Sequence, residues 1–276
     1  MRTVSTLDEL RDSRLSLDGT VGLVPTMGFL HDGHLSLIRR ARDECKHVIV
    51  SIFVNPTQFG PKEDLAKYPR DLERDLRLIE PFTDLVWTPT PEIMYPTGYQ
   101  TWVEVEAMTH PLEGAMRPGH FKGVTTVVAK LFNAVQPHKA YFGQKDAQQA
   151  AVIRRMVRDL NFPIEIVVCP TQREADGLAM SSRNVYLDAE QRKAATVLFR
   201  SLSAAKELYE AGERDAEMIR GKMKETLASE PLAEPQYVSC ADYDTLEELE
   251  VIQGKTLLSM AVFIGKTRLI DNFVLG

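Results

Sequence analysis

Through its first 170 residues the chain alternates between two hydrophobic rhythms. Short, almost unbroken apolar runs stand at 21–24 (VGLV), 47–55 (HVIVSIFVN), 84–87 (DLVW), 139–143 (KAYFG) and 164–169 (IEIVVC). Runs of this length that are apolar throughout predict strands covered on both faces, the signature of a parallel sheet. Residues 101–108 (TWVEVEAM) alternate instead and predict a strand near an edge. Between the runs lie segments of helical period. Residues 6–15 form a short helix with Thr6 as its cap, and 72–79 a second. In the segment 124–135, Val124, Val127, Val128, Leu131 and Val135 share one stripe; in 146–160, Val152, Met156 and Leu160 recur every four residues. Strand and helix in alternation predict an α/β fold, a Rossmann-like doubly wound parallel sheet with right-handed crossovers.

After residue 170 the texture changes. Two amphipathic helices, 189–211 and 215–229, precede strand-like runs at 237–244, 256–265 and 267–275, the last two joined through Gly265-Lys266. Helices followed by strands predict a smaller, separate α+β unit. The boundary falls near residue 175, giving domains 1–175 and 176–276.

Composition narrows the class. The chain has 276 residues, 44% hydrophobic and 26% charged, with net charge -6 and no long run of one sign. That balance argues against nucleic acid as an obligate partner. The first residues, MRTVSTLDELRDS, are too polar for a signal peptide, and no apolar run is long enough to span a bilayer. Cys45, Cys169 and Cys240 sit scattered in apolar contexts, as buried thiols in a reducing cytoplasm would.

Candidate chemistry gathers in loops that follow the strands. The sharpest is PTMGFLHDGH, 25–34, where an apolar strand ends and a helix begins. Asp32 reads as the helix cap, and Leu35, Ile38 and Cys45 as its buried face. His31 and His34 then lie at a helix N-terminus, where free amides and the helix dipole favour phosphate. Gly28 lets the backbone approach a ligand closely, and Gly33 clears space beside His34. The histidines also read as solvated or capping residues; a zinc site lacks its further ligands nearby. In FGQKD, Lys145 offers a point charge to a phosphate, or is a surface lysine, and Asp146 caps the following helix. Gln149 lies one turn on and points to the same side. In SSRN, Ser181 and Ser182 supply hydroxyls and Arg183 a guanidinium fork. No base accompanies the serines, so neither reads as a nucleophile. Gln58, in NPTQF, can hold a hydroxyl or carboxylate, or is a turn residue.

These motifs carry a resemblance. H-x-G-H is similar to the motif of nucleotidyltransferases related to class I aminoacyl-tRNA synthetases. PTMGFLHDGH, FVNPTQFG, LEGAMRPGHFKGVTTVVAKLFN, YFGQKDAQQ and DGLAMSSRN, in that order, resemble the pantoate–β-alanine ligase family from about residue 21 to 184. The resemblance implies a two-step ligation of pantoate and β-alanine. Pantoate's carboxylate attacks the α-phosphorus of ATP, with Mg2+ accompanying the nucleotide; the amine of β-alanine then displaces AMP from the acyl adenylate. It implies that Met27, Gly28, Phe29, Leu30, His31, Asp32, Gly33 and His34 line ATP, with Gly143, Gln144, Lys145 and Asp146. Met180, Ser181, Ser182 and Arg183 join them, and the backbone at Gln172 borders adenine, although glutamine departs from the family's pattern there. It assigns catalysis to His34, His31, Lys145, Ser181, Ser182 and Arg183, with His34 as the proton donor. Pantoate falls to Gln58 and Gln149, and Gln58 also borders β-alanine. Asn55, Arg117 and His120 are further candidates, and Asp75 is a candidate for helping to hold Mg2+. The C-terminal domain becomes a lid, and the chain a cytoplasmic homodimer. Two rivals remain at this level: a nucleotidyltransferase that stops at nucleotide transfer, and a nucleotide-binding regulatory module without turnover.

Overall fold

The computed structural model describes residues 1–61 and 63–276. Six strands form one all-parallel sheet: β1 (Arg2–Val4), β2 (Val21–Thr26), β3 (His47–Ile52), β4 (Leu85–Trp87), β5 (Lys139–Gly143) and β6 (Glu165–Cys169), in the order β1-β4-β3-β2-β5-β6. Helices α1 (Leu7–Leu15), α2 (Asp32–Glu44), α3 (Leu72–Ile79), the one-turn α4 (Pro91–Met94) and α5 (Glu113–Met116), α6 (His120–Val135) and α7 (Ala147–Asp159) connect or flank them. The doubly wound reading holds. Neighbouring residues of the central strands enter different cores. Leu23, Ile49, Leu85, Trp87, Ala140 and Phe142 pack with α1, α6 and α7. Val24, Val48, Val50, Val86, Tyr141 and Cys169 pack with α2 and α3. A sheet buried on both faces accounts for the unbroken apolar runs. All three cysteines are free and buried.

The strand order reverses at β2. From β2 the chain goes outward to β3 and β4 on one side, and β5 and β6 lie on the other. Ligands of open α/β sheets bind at the carboxyl ends of the strands at such a switch point, and the loop 27–31 leaves β2 there.

By internal contact the chain forms two compact units. One comprises 1–109, 117–143 and 152–170; the other comprises 110–116, 144–151 and 171–276. Sequence periodicity carries no sign that the two short segments belong with the C-terminal part. Side chains within the second unit account for it. Arg268 makes paired hydrogen bonds to Glu113 at 2.7 and 2.8 Å, and Gln148 joins Pro111 O and Glu113 N–H, each at 2.9 Å. The second unit otherwise holds α8 (Ala189–Ala194), α9 (Val197–Glu210), α10 (Ala216–Ala228) and an antiparallel sheet of β7 (Ala233–Asp242), β8 (Thr256–Ile264) and β9 (Thr267–Leu275). Its core joins Leu198, Leu202, Ile219 and Met223 to Leu258, Met260 and Val262.

Several expectations change. Residues 101–106 form no strand. Val103 N–H donates to Thr126 Oγ1 at 3.0 Å, and its carbonyl accepts from Thr125 Oγ1 at 2.6 Å. Helix hydroxyls thus take the groups a strand would offer its neighbour. Strand β1 is added to the sheet edge; three residues are too few for a period to be read. The helix expected over 189–211 divides where Thr196 N–H bonds Lys193 O at 3.2 Å, a tightened turn.

Candidate active site

The first group of candidates stands in the unit that carries the parallel sheet. Beyond β2 the backbone turns through two left-handed residues, Gly28 (φ 81°) and Phe29 (φ 50°). A Cβ on Gly28 would lie 3.1 Å from Ile52 Cγ2 and 3.2 Å from Asp75 Oδ2, besides favouring the wrong φ. Helix α3 holds the turn. Asp75, 1% exposed, accepts Phe29 N–H at Oδ2 (2.7 Å) and Leu30 N–H at Oδ1 (2.8 Å). Arg74 donates to Leu30 O at 2.9 Å, and its guanidinium lies 5.4 Å from the Phe29 ring centroid. Burial pushes the Asp75 carboxyl above the usual aspartate range, against the opposing pull of the two amides and Arg74. With both oxygens engaged by main-chain amides, Asp75 clamps the backbone of this turn.

The clamp delivers the chain to the start of α2. Here the cap is His31, not Asp32, which is the first helical residue. His31 Nδ1 accepts Gly33 N–H at 3.1 Å, and His34 Nδ1 accepts His31 N–H at 3.3 Å. The rings lie 4.1 Å apart between centroids, tilted by 42°. An Nδ1 that accepts is unprotonated, so each neutral imidazole carries its hydrogen on Nε2. Two Nε2–H donors therefore stand at a helix N-terminus, beside its dipole. Sequence reading found both histidines and missed their reciprocal capping.

Nearby in the same unit, a short turn (Pro56–Gln58) carries Gln58. Asn55, 1% exposed, donates to Gln58 Oε1 (3.1 Å) and Gly123 O (3.2 Å), and accepts from Thr57 Oγ1 and the Tyr95 hydroxyl at 3.0 and 2.8 Å. Gln58 Nε2 points to Met27 Sδ at 3.2 Å, joining two of the motifs. A thioether is a weak acceptor, readily exchanged for a carboxylate or hydroxyl. His120 Nδ1–H donates to Gln58 O at 2.9 Å, while its Nε2 accepts from Arg117 Nη1 at 3.1 Å. Arg117 pairs with Glu63 through two bonds of 2.9 and 2.7 Å. His120, Arg117 and Asn55 thus hold the Gln58 turn, and the charge of Arg117 is already met by a carboxylate.

The second group stands in the other unit. Residues Gln144–Asp146 form a 3-10 turn that runs into α7. Asp146 makes no capping bond among the described residues; the continuous turn leaves no separate cap position for it. The carbonyls of Gln144 and Lys145 both accept from Asn272 Nδ2, at 3.0 and 2.8 Å. The Lys145 ammonium is half-buried and meets no carboxylate among the described residues. Gln148 is buried in the structural link to 111–113, leaving its neighbour Gln149 half-buried and without a hydrogen bond among the described residues. Met180 N–H donates to Gln172 O at 2.9 Å, closing a hairpin around Gly177. Gly177 has φ 91°, and a Cβ there would fall 2.2 Å from the Phe199 ring. Ser181 Oγ accepts Arg183 N–H at 3.2 Å, capping the 3-10 turn Ser182–Tyr186. Its acceptor role is structural, with the hydroxyl hydrogen left to donate. Ser182 is buried and Arg183 half-buried. Sequence reading missed Asp75 as a clamp and Asn272 altogether; no local motif marks either.

Residues 1–274 match the family model described as pantoate-beta-alanine ligase. Similar proteins include the pantothenate synthetase of Roseiflexus sp. (strain RS-1), 62% identical over 276 residues, covering 100% of this chain and 99% of that one. That of Herpetosiphon aurantiacus is 62% identical over 277 residues, covering 100% of both chains. Among solved structures, pantothenate synthetase from Thermus thermophilus superposes with TM-score 0.95 at 50% identity, covering 99% of each chain. Pantoate-beta-alanine ligase from Francisella tularensis, complexed with beta-gamma ATP and beta-alanine, gives TM-score 0.82 at 35% identity, covering 99% of this chain and 97% of that one.

Proposed function

The chain belongs to the pantoate–β-alanine ligase family, and from that premise we propose how its residues carry out the reaction. It is an ATP-dependent ligase that condenses pantoate with β-alanine through a pantoyl adenylate, releasing pyrophosphate and AMP. The β-alanine and ATP analogue named for the Francisella structure support the same substrates here.

The first step brings a carboxylate to a triphosphate. Unit charges about 4 Å apart repel by roughly 4 kcal/mol at an effective dielectric near 20. The Nε2–H donors of His31 and His34 and the amides that open α2 offset this repulsion; in the other unit, Lys145 and Arg183 are the cations that suit phosphate. Their largest effect falls on charge that grows at the phosphoryl group and the departing pyrophosphate. His34 then serves as a hydrogen-bond donor to phosphate whose capping bond fixes its tautomer. Gln58 exchanges its contact with Met27 for pantoate and borders β-alanine, and Gln149 holds pantoate from α7. Backbone at Gln172 and Met180 borders adenine, with Ser181 and Ser182 donating hydroxyls.

Magnesium would arrive with ATP and supply neutralisation of phosphate charge. Among the described residues no group of three or more His, Cys, Asp or Glu could hold a metal. No helix among them is long and apolar enough to cross a membrane. Three free, buried thiols suit a cytoplasmic setting, and the family resemblance supports a homodimer, which light scattering on the purified chain would test.

The observation that carries the reading is the pair of Nδ1-engaged imidazoles at the start of α2. Pyrophosphate–ATP isotope exchange tests it. Exchange should require pantoate and proceed without β-alanine, and AMP should accumulate only when both are present. Exchange indifferent to pantoate would fit nucleotide transfer alone, and no turnover would fit a regulatory module.

A further inference from the structure

We propose that Asn272, on the last strand, is a positioning residue for Lys145; this rests on the phosphate role given to Lys145 above. One amide nitrogen, Asn272 Nδ2, donates to two successive carbonyls, Gln144 O at 3.0 Å and Lys145 O at 2.8 Å. The same side chain accepts from Gln144 Nε2 at Oδ1, 3.1 Å. Three bonds from one residue therefore hold the 3-10 turn that carries the lysine, across 127 residues of sequence.

The platform under Asn272 is rigid. Its own N–H donates to Asp271 Oδ1 at 2.8 Å. Asp271, 2% exposed, is bound by both terminal nitrogens of Arg173, at 2.7 and 2.8 Å. The Arg173 guanidinium is flanked by Phe199 and Phe273, at 5.1 and 5.0 Å from the ring centroids. Asn272 is itself 4% exposed. A planar amide suits this position, because it offers two donor hydrogens to adjacent carbonyls and an acceptor to the Gln144 side chain. Lysine has a flexible four-carbon stem, so only its backbone can be fixed by distant groups. Fixing the carbonyl on either side of its Cα limits where the ammonium can reach, and a displacement of about 1 Å can lower a rate about 100-fold.

A double-mutant cycle on the full chain tests this, read by pantoate-dependent pyrophosphate–ATP exchange. Asn272→Ala should lower the maximal exchange rate roughly 10- to 100-fold and leave the KM for pantoate within about 3-fold. Asn272→Asp, nearly isosteric, should do the same because it loses both donors; it decides the matter if the alanine variant does not fold. In a Lys145→Ala background, Asn272→Ala should lower the remaining rate by less than about 3-fold, because its effect passes through the lysine. Asn272 variants within about 3-fold of the parent, with Lys145→Ala strongly impaired, overturn the inference alone. So does an undiminished effect in the Lys145→Ala background, which would mark a general structural role. A Lys145→Ala chain with near-parental exchange overturns the phosphate role and this inference with it.

Discussion

His31 and His34 complete one another's place at the start of α2: the main-chain N–H of His31 donates to Nδ1 of His34 at 3.3 Å, while the Nδ1 of His31 takes the amide of Gly33. The capping bonds use Nδ1 of each ring, and the proposed phosphate contact uses Nε2. Asparagine at position 34 separates the two roles, since its Oδ1 can accept the His31 N–H in place of Nδ1 while its shorter reach removes the Nε2–H donor. His34→Asn should therefore hold its melting temperature within a few degrees while adenylate formation falls at least about 100-fold, roughly 2.7 kcal/mol of transition-state stabilisation. Isotope exchange beside thermal unfolding checks this; loss of stability without loss of exchange would reverse the assignment.

Asp75 links stability and activity with opposite signs. Burial raises its carboxyl, so on acidification the folded chain takes up this proton before the unfolded chain does. By linkage, its contribution to stability is greatest at and below the usual aspartate value near about 3.9 and declines as pH rises through the folded value. Asp75→Asn should consequently destabilise more near pH 4 than near pH 7. At pH 7 it removes a buried charge, yet turns an amide NH2 toward the N–H of Phe29 or Leu30. Exchange activity should fall by roughly 30-fold or more even where urea unfolding shifts little.

Gly123 lets α6 press against the Gln58 turn. A Cβ there would lie 2.5 Å from Thr57 O and 2.7 Å from Gln58 N, backbone atoms with no side-chain freedom to move aside. Gly123→Ala should destabilise by about 1–3 kcal/mol despite alanine's better helix propensity. It should also raise the pantoate KM about 10-fold or more, with a smaller change for ATP. Denaturant melts and initial-rate kinetics on the same preparation separate the two effects.

Adjacent glutamines on α7 should respond differently. Gln148→Ala breaks the buried bonds to Pro111 and Glu113 and should lower the melting temperature by several degrees. Gln149→Ala removes no intramolecular hydrogen bond among the described residues. It should leave the melt unchanged and raise the pantoate KM roughly 10-fold. Swapped outcomes would mean that pantoate is held by a different residue of this helix.

Unbroken apolar runs determined the parallel sheet, because a strand covered on both faces has no polar face to display; HVIVSIFVN and KAYFG could be little else. The same sequence marked His31, His34, Lys145 and Gln58, since each lies beside glycines or prolines where a strand gives way to a turn or helix. Tertiary structure alone decided which atoms of those residues are engaged within the chain. Asp75 clamps a loop 45 residues earlier, Asn272 grips carbonyls 127 residues earlier, and Met27 meets Gln58 through sulfur. Hydrogen bonds of that span follow from how helices and strands pack, and pairings so far apart leave no period or spacing in the chain to read.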